Sequence, residues 1–142
     1  MKKIIFILLF LLNSINVNNF AIADINYFNK GKLLFLEKKF DKARFKFEQD
    51  IVFNPKNEES YLYLAKIYKI KKNDDQEESN LKTVLLLNPK NEEAILELAY
   101  LKIRKSNYSE TEKLISDFEK VCKKLCTKLS SLQKKLDDIL KK

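Results

Sequence analysis

A six-residue stretch, Asn54-Pro55-Lys56-Asn57-Glu58-Glu59, recurs 34 residues later as Asn88-Pro89-Lys90-Asn91-Glu92-Glu93. The two copies contain both prolines of the chain. Proline cannot donate a backbone hydrogen bond and disfavours helical backbone in the residue before it, so helices should end near Phe53 and Leu87. Asn57 and Asn91 are then favourable N-caps for the following helices, and the glutamate pairs suit the positive ends of the helix dipoles. Each stretch therefore predicts the end of one helix and the beginning of the next.

The same spacing extends to apolar positions outside these two stretches. Three small residues lie 34 positions apart: Gly31, Ala65 and Ala99. Large apolar residues do the same: Tyr27, Tyr61 and Ile95, and further along Phe47, Leu81 and Ile115. A fixed spacing of small and large apolar residues indicates one helix-turn-helix unit that is stacked on copies of itself.

In these positions the chain resembles the tetratricopeptide repeat family, whose pattern combines small and aromatic residues on two helices and ends in proline. Several positions depart from the pattern. Asn73-Asp74 lies at the turn of the second repeat, and Glu77 replaces a small buried residue there. In the third repeat Lys102 replaces an aromatic residue, Thr111 occupies a small position, and the proline is missing. The resemblance implies an all-α fold, an α-α superhelix of three helix-turn-helix repeats (residues 24–57, 58–91 and 92–125) with a C-terminal capping helix over residues 126–142.

The composition also favours an all-α fold, because glycine and proline are nearly absent and charged residues make up 34% of the chain. We refer to the first helix of each repeat as its A helix and to the second as its B helix. The A helices are expected at about 25–37, 59–71 and 92–105, and the B helices at about 41–53, 75–87 and 108–122.

The N-terminus has the layout of a secretory signal peptide. Met1-Lys2-Lys3 is basic, an unbroken apolar run follows over residues 4–12, and Ala21-Ile22-Ala23 is a small-x-small cleavage site. The alternative, a transmembrane anchor, would need about 20 apolar residues to cross a bilayer as a helix. We therefore expect residues 1–23 to be removed, which leaves a periplasmic or secreted protein with no integral membrane segment.

The last part of the chain combines an amphipathic pattern with most of the positive charge. Apolar residues recur every three or four positions: Val121, Leu125, Leu129, Leu132, Leu136 and Ile139. This stripe should cover the apolar side of the third repeat. Residues 119–142 also carry eight lysines and three acidic residues, which either keep an exposed face solvated or contact an anionic surface.

Cys122 and Cys126 are the only cysteines and lie four residues apart. In a continuous helix their Cβ atoms would be roughly 5–6 Å apart, whereas a disulfide needs about 3.8 Å. A disulfide therefore requires the helix to break, which suits the junction between the third repeat and the capping helix in an oxidising compartment. We predict a disulfide that closes this turn. The alternative is two small apolar residues on an unbroken helix.

The residue types that most enzymes need are scarce. The chain has no histidine, its one glycine lies within a predicted helix, and two cysteines make a poor metal site. The carboxylate pairs have a sufficient explanation at the starts of helices. We therefore expect neither catalysis nor a bound cofactor or metal. Nucleic acid is also a poor candidate ligand for an exported protein.

The family resemblance implies that the A helices line a concave groove for a peptide or a helix of a partner protein. The family's groove positions correspond here to apolar and basic residues: Phe28, Lys32, Phe35, Leu62, Lys66, Lys69, Ile70, Leu96, Tyr100, Ile103 and Arg104. Leu62, Leu96 and Tyr100 are expected to supply contact area for a partner with apolar anchors and some acidic residues. The cations would set its orientation, and reversing the charges of Lys66 and Arg104 should leave folding intact.

Two functions remain open at this point. The first is a non-enzymatic adaptor of the bacterial cell envelope, which binds a peptide or helix of a partner protein in the groove. The second is a self-associating scaffold, a homodimer or larger assembly that uses the same groove and the uncapped first repeat. Phe28 and Phe35 lie on the first helix, with nothing stacked before it, and would serve the second function.

Overall fold

The computed structural model describes residues 26–141, so the predicted signal peptide lies outside the described residues. This part of the chain folds into seven α-helices and one short 3-10 helix, in agreement with the all-α prediction. They are α1 (Tyr27–Leu36), α2 (Phe40–Phe53), α3 (Glu58–Ile70), α4 (Asp74–Leu87), α5 (Glu92–Arg104), α6 (Tyr108–Val121), the 3-10 helix Cys126–Lys128 and α7 (Leu129–Leu140). The ends of α1 to α6 fall within two residues of the expected A and B helices.

The helices pack in sequential pairs, and we call α1 with α2, α3 with α4, and α5 with α6 repeats 1, 2 and 3. Each pair is joined by a turn with one left-handed residue: Lys38 (φ 58°), Lys72 (φ 54°) and Ser106 (φ 55°). The N–H of the next residue then donates to the carbonyl group five residues back, at 2.9 Å in all three turns. This hydrogen bond closes the C-terminus of an α-helix in the Schellman motif. The backbone therefore repeats with the same 34-residue period as the sequence.

The two Asn-Pro-Lys-Asn turns lie between repeats and are held by different side chains. Asn91 caps α5 as predicted, because its side-chain oxygen accepts a hydrogen bond from the Ala94 N–H at 3.0 Å. Asn57 occupies the N-cap position of α3 but forms no such bond. Its amide instead donates to the buried carboxylate of Asp50 at 2.7 Å, beside the Ser60 hydroxyl, which donates to the same carboxylate oxygen at 2.6 Å.

The first glutamate of each Glu-Glu pair has a role beyond the helix dipole. Glu58, at the start of α3, accepts a hydrogen bond from the Asn88 amide at 2.9 Å. Glu92, the equivalent residue of α5, accepts the backbone N–H groups of Lys124 at 3.0 Å and Leu125 at 2.8 Å. Each glutamate thus ties the start of an A helix to the turn that follows the B helix of the same repeat.

The core consists of two neighbouring clusters of apolar side chains. The smaller one joins repeat 1 to α3 through Ala43, Phe47, Leu64 and Ile67. The larger one extends through repeats 2 and 3 to α7, whose Leu132 and Leu136 are buried in it. The predicted C-terminal stripe therefore packs against the third repeat.

The chain breaks between α6 and α7, at the two cysteines. α6 ends at Val121, and Cys122 and Cys126 form a disulfide with their Cα atoms 5.2 Å apart. The 3-10 helix follows directly and leads into α7, which contacts both α5 and α6. The disulfide therefore closes the turn that lets α7 fold back onto repeat 3.

Gly31 marks the closest approach of α1 to α2. A Cβ atom placed on Gly31 would lie 2.7 Å from Cε1 of the Phe47 ring. The ring cannot move away easily, because Phe47 is fully buried and its ring stacks on Tyr63 with the centroids 4.9 Å apart. The small residue at this position therefore permits the contact on which repeat 1 depends.

We predict that Gly31→Ala destabilises the protein although alanine favours helices by about 1 kcal/mol over glycine. Overpacking against Phe47 costs about 1–3 kcal/mol, so the free energy of unfolding in urea should decrease. Adding Phe47→Leu removes the ring, and the double variant should lose less stability than the two single losses together. An increase in stability for Gly31→Ala alone would contradict this explanation.

Candidate peptide-binding groove

The A helices lie side by side, and α7 continues the row. α1 contacts α3 through the rings of Phe35 and Tyr63, whose centroids are 5.2 Å apart. α3 contacts α5 through an ion pair of 2.8 Å between Lys66 and Glu93. α5 in turn contacts α7. We call the surface along α1, α3 and α5 the groove.

The end of the groove at repeat 1 is aromatic. Phe28 and Phe35, both predicted groove residues, are half-buried and pack edge-on against Tyr63. Lys32 extends over Phe28, with Nζ 5.1 Å from the ring centroid, in a cation–π contact. Tyr63 was not among the predicted groove residues. This end of the groove thus has aromatic walls and the positive charge of Lys32.

Two exposed aliphatic side chains are the last residues of the two helices that carry these aromatic rings. Ile70 of α3, a predicted groove residue, is 49% exposed, and Leu36 of α1 is 76% exposed. Leu36 was missed in the sequence, although it precedes Ile70 by 34 residues and therefore occupies the same position of its repeat. The 34-residue period of the sequence could therefore have identified Leu36 as a groove residue.

The end of the groove at repeat 3 is closed. Leu96, Tyr100 and Ile103 share one face of α5, since they are spaced four and three residues apart. The Tyr100 hydroxyl lies 3.3 Å from the Ser131 hydroxyl of α7, and Lys135 of α7 extends over the Tyr100 ring. Leu96 and Ile103 are 7% and 5% exposed.

Leu62 of α3 is likewise a core residue, 7% exposed. The expectation that Leu62, Leu96 and Tyr100 provide contact area therefore needs correction. The first two are buried, and the third faces the capping helix.

The remaining groove cations already have carboxylate partners within the chain. Lys66 pairs with Glu93, and Lys69 pairs with Glu97. Arg104 pairs with Glu77 at 2.6 Å and with Asp74 at 3.2 Å. The positive charge that the sequence suggests along the groove is thus largely neutralised by the chain's own acidic residues.

Two charged residues that depart from the repeat pattern, Glu77 and Lys102, lie on either side of the contact between repeats 2 and 3. Glu77 of α4 is buried and pairs with Arg104 of α5. Lys102 of α5 is 5% exposed and lies between Glu78 of α4, at 2.7 Å, and Glu110 of α6, at 2.8 Å. Each unusual charge therefore has a partner of opposite sign on a neighbouring helix.

The adjacent carboxyl groups of Glu77 and Glu78 have pKa values shifted in opposite directions. Burial raises the pKa of Glu77, despite the opposing effect of Arg104, and Glu77 Oε1 has no hydrogen-bond partner among the described residues. Hydrogen bonds from Lys102, and then from Lys82, lower the pKa of Glu78 from its ordinary value of 4.5 to about 2. Ionised Glu78 therefore stabilises the fold, whereas ionisation of Glu77 costs stability.

This difference also revises the expectation that charge reversal at Lys66 and Arg104 leaves folding intact. Glu in place of Arg104 would put a second carboxylate beside the buried carboxylate of Glu77. Removing one partner of a buried ion pair leaves an uncompensated charge, which is strongly destabilising. Arg104 is therefore a structural residue.

We predict that Glu78→Gln lowers the free energy of unfolding at pH 7 by about 1.5–3 kcal/mol, the usual value of hydrogen bonds to a charged group. The folded-state pKa of Glu78 is depressed, so its stabilisation is complete above pH 4.5 and is lost as the pH falls towards 2. The difference from wild type in urea unfolding should therefore shrink over this range. Glu112→Gln, at an exposed position of α6, is the matched control and should change little. An equal difference at pH 7 and pH 2 would rule out a charge effect.

The described residues contain neither a candidate metal site nor a membrane-spanning helix. Between residues 26 and 141, no three His, Cys, Asp or Glu side chains come together in a way that could hold a metal ion. No helix in the same range is long and apolar enough to span a membrane.

Comparison with known proteins gives a structural match without a sequence match. No protein-family model matches the chain, and neither does any curated protein. The Yersinia enterocolitica type III secretion chaperone SycD, in complex with a peptide of the translocator YopD, superposes with a TM-score of 0.73. The identity is 14%, over 82% of this chain and 92% of that one.

Two further solved structures that resemble this chain are TPR domains. The TPR2B domain of yeast Sti1, in its pHsp70 complex, has a TM-score of 0.70 at 13% identity, over 76% of this chain and 90% of that one. The second TPR domain of human RPAP3, with the HSP70 peptide SGPTIEEVD, has a TM-score of 0.64 at 18% identity, over 77% and 93%. Together with the 34-residue period of helices and turns, these matches show that the chain has the tetratricopeptide repeat fold.

Proposed function

We propose that this chain is a non-enzymatic interaction module that holds a short segment of a partner protein against α1 and α3. The observation that carries the proposal is the pair of exposed aliphatic side chains, Leu36 and Ile70, at the ends of the two helices that carry the aromatic walls of the groove. A partner segment with an apolar anchor would bury these side chains and gain the free energy of removing apolar surface from water.

Fewer groove cations are free to bind a partner's carboxylate than the sequence suggests. Lys32 has no carboxylate partner among residues 26–141, whereas Lys66 and Lys69 are already paired. An acidic residue of the partner would therefore be placed opposite Lys32, close to the aromatic walls. Such a charge orients the partner and speeds its approach more than it strengthens binding.

The structural neighbours support an interaction module in general terms. SycD is seen with a peptide of YopD, and the TPR domain of RPAP3 with a peptide of HSP70. Both proteins have low sequence identity to this chain, so their ligands do not identify its partner. The chemistry of the groove suits an extended segment with an apolar anchor and a nearby carboxylate.

We predict that Ile70→Ser weakens partner binding by about tenfold or more, because it removes most of a buried aliphatic side chain from the interface. A displayed library of random linear peptides, selected on the wild-type protein, supplies ligands whose affinity is then measured by fluorescence anisotropy. Lys32→Glu should also weaken binding, and more so at low salt.

Leu86→Ser is the matched control for this experiment. Leu86 is 81% exposed on α4, a B helix, and therefore lies away from the groove. The control should leave peptide binding unchanged. If selected peptides bind Ile70→Ser as well as wild type, the groove between α1 and α3 is not the binding surface.

We further propose that the protein acts in the cell envelope. The basic start, the apolar run and the Ala21-Ile22-Ala23 site support export through a cleaved signal peptide. The disulfide between Cys122 and Cys126 agrees with an oxidising compartment, where such bonds persist.

N-terminal sequencing of the protein from its own cells should find Asp24 as the first residue. Ala23→Arg should block cleavage, because the residue before the cut must be small. Thiol labelling of the unreduced native protein should modify neither cysteine. Protein that keeps Met1 and is recovered in the membrane fraction would contradict export.

A further inference from the structure

Between residues 26 and 141 no helix covers the outward face of α1, whereas the same face of α3 and α5 is covered. Leu64 and Ile67 of α3 are buried together with side chains of α2, and Leu98 and Leu101 of α5 are buried together with side chains of α4. Leu33 of α1 holds the position of Ile67 and Leu101 in its repeat. It is nevertheless 61% exposed.

Exposed apolar side chains are concentrated in the same repeat. Of the eight large hydrophobic residues that are exposed between residues 26 and 141, five belong to repeat 1: Leu33, Leu36, Phe45, Val52 and Phe53. Single exposed apolar residues are normal on any protein, but their concentration at one end of a molecule points to a contact surface.

The charges around Leu33 make this face complementary to itself. Lys30 lies one helical turn before Leu33, and Glu37, the residue that directly follows α1, lies one turn after it. The three residues therefore lie on the same side of the helix. Lys30 forms no ion pair within the described part of the chain. Glu37 pairs with Lys39 at 2.7 Å, but both side chains are about half exposed. Such a surface pair contributes at most about 1 kcal/mol, so Glu37 remains available to another cation.

We propose that two copies of this chain associate through α1, with the two helices antiparallel about a two-fold axis near Leu33. The two Leu33 side chains then pack against each other. Lys30 of each copy lies opposite Glu37 of the other, which gives two equivalent ion pairs. A two-fold interface uses the same patch on both copies, and an apolar centre flanked by opposite charges meets that requirement. The second copy takes the place that the preceding B helix takes in repeats 2 and 3.

This interface adjoins the groove at Leu36, which lies one helical turn after Leu33, but it does not include the aromatic side chains of the groove. Leu33 and Phe35 are two residues apart on a helix with 3.6 residues per turn, so they point to nearly opposite sides of α1. Association through Leu33 therefore leaves the aromatic end of the groove accessible. The dimer would present two grooves, one on each copy.

Sedimentation equilibrium over a series of concentrations tests the proposal on protein purified from cells that express the full sequence. Wild type should reach twice the chain mass. Leu33→Asp places two carboxylates at the axis and should raise the dissociation constant at least tenfold. Leu86→Asp, an equally exposed leucine on α4, should not change it. A monomeric wild type, or a dimer unaffected by Leu33→Asp, would overturn the proposal.

Exchanging the charges of Lys30 and Glu37 tests whether the face is covered by a second copy or by another partner. Lys30→Glu sets glutamates opposite each other and should weaken the dimer, most strongly at low salt. Adding Glu37→Lys restores opposite charges and should restore the dimer. A different partner protein, or residues 1–25 of the same chain, would not be recovered by this exchange, so failure of the double variant would also overturn the proposal.

The peptide-binding assay distinguishes the dimer interface from the peptide-binding groove. Leu33→Asp should dissociate the dimer without loss of peptide binding. Ile70→Ser should do the reverse.

Discussion

Each A helix of this chain has a second side that another helix must cover, and the rest of the structure depends on this requirement. In repeats 2 and 3 the preceding B helix covers it, so that Ile67 and Leu101 are fully buried. Stacking leaves two ends with unmatched faces. At the C-terminal end α7 buries Leu132 and Leu136 against repeat 3. At the other end, no described helix covers Leu33, and the two ends of the stack therefore differ in their capacity for further contacts.

Charged residues replace apolar packing where the stack departs from its repeat pattern. Glu77 and Lys102 are costly to bury alone, yet each meets a charge of opposite sign on an adjacent helix. Such pairs confer little net stability over apolar packing, but losing one partner is severe, because the other charge stays buried. Ion pairs within the chain also reduce the free positive charge of the groove. A partner would therefore be bound mainly through aromatic and aliphatic contacts.

The capping helix sets the length of the groove. α7 contacts Tyr100, one turn from Leu96 and from Ile103, so the surface of α5 that would extend the groove is used to finish the core. A helix that shields a terminal repeat from water necessarily occupies the side on which the next repeat would stack. The turn closed by the disulfide and by the bonds of Glu92 to Lys124 and Leu125 holds α7 in this position. The accessible groove is consequently the part formed by α1 and α3.

The sequence by itself determined the helices and the turns, and it favoured a break at the cysteines over a continuous helix. These features follow from local rules: proline ends a helix, small and large residues alternate at a fixed period, and a disulfide between residues four apart cannot form in a helix. It also placed Ile70, Phe28 and Phe35 on the groove side. Tertiary structure alone decided which of the groove positions remain accessible and which cations remain unpaired. Leu96 is buried and Arg104 is paired because of residues about 30 positions away, on helices whose distance along the chain says nothing about their side-chain contacts. Periodicity specifies which face of a helix points inward, but only the packed helices determine what that face meets.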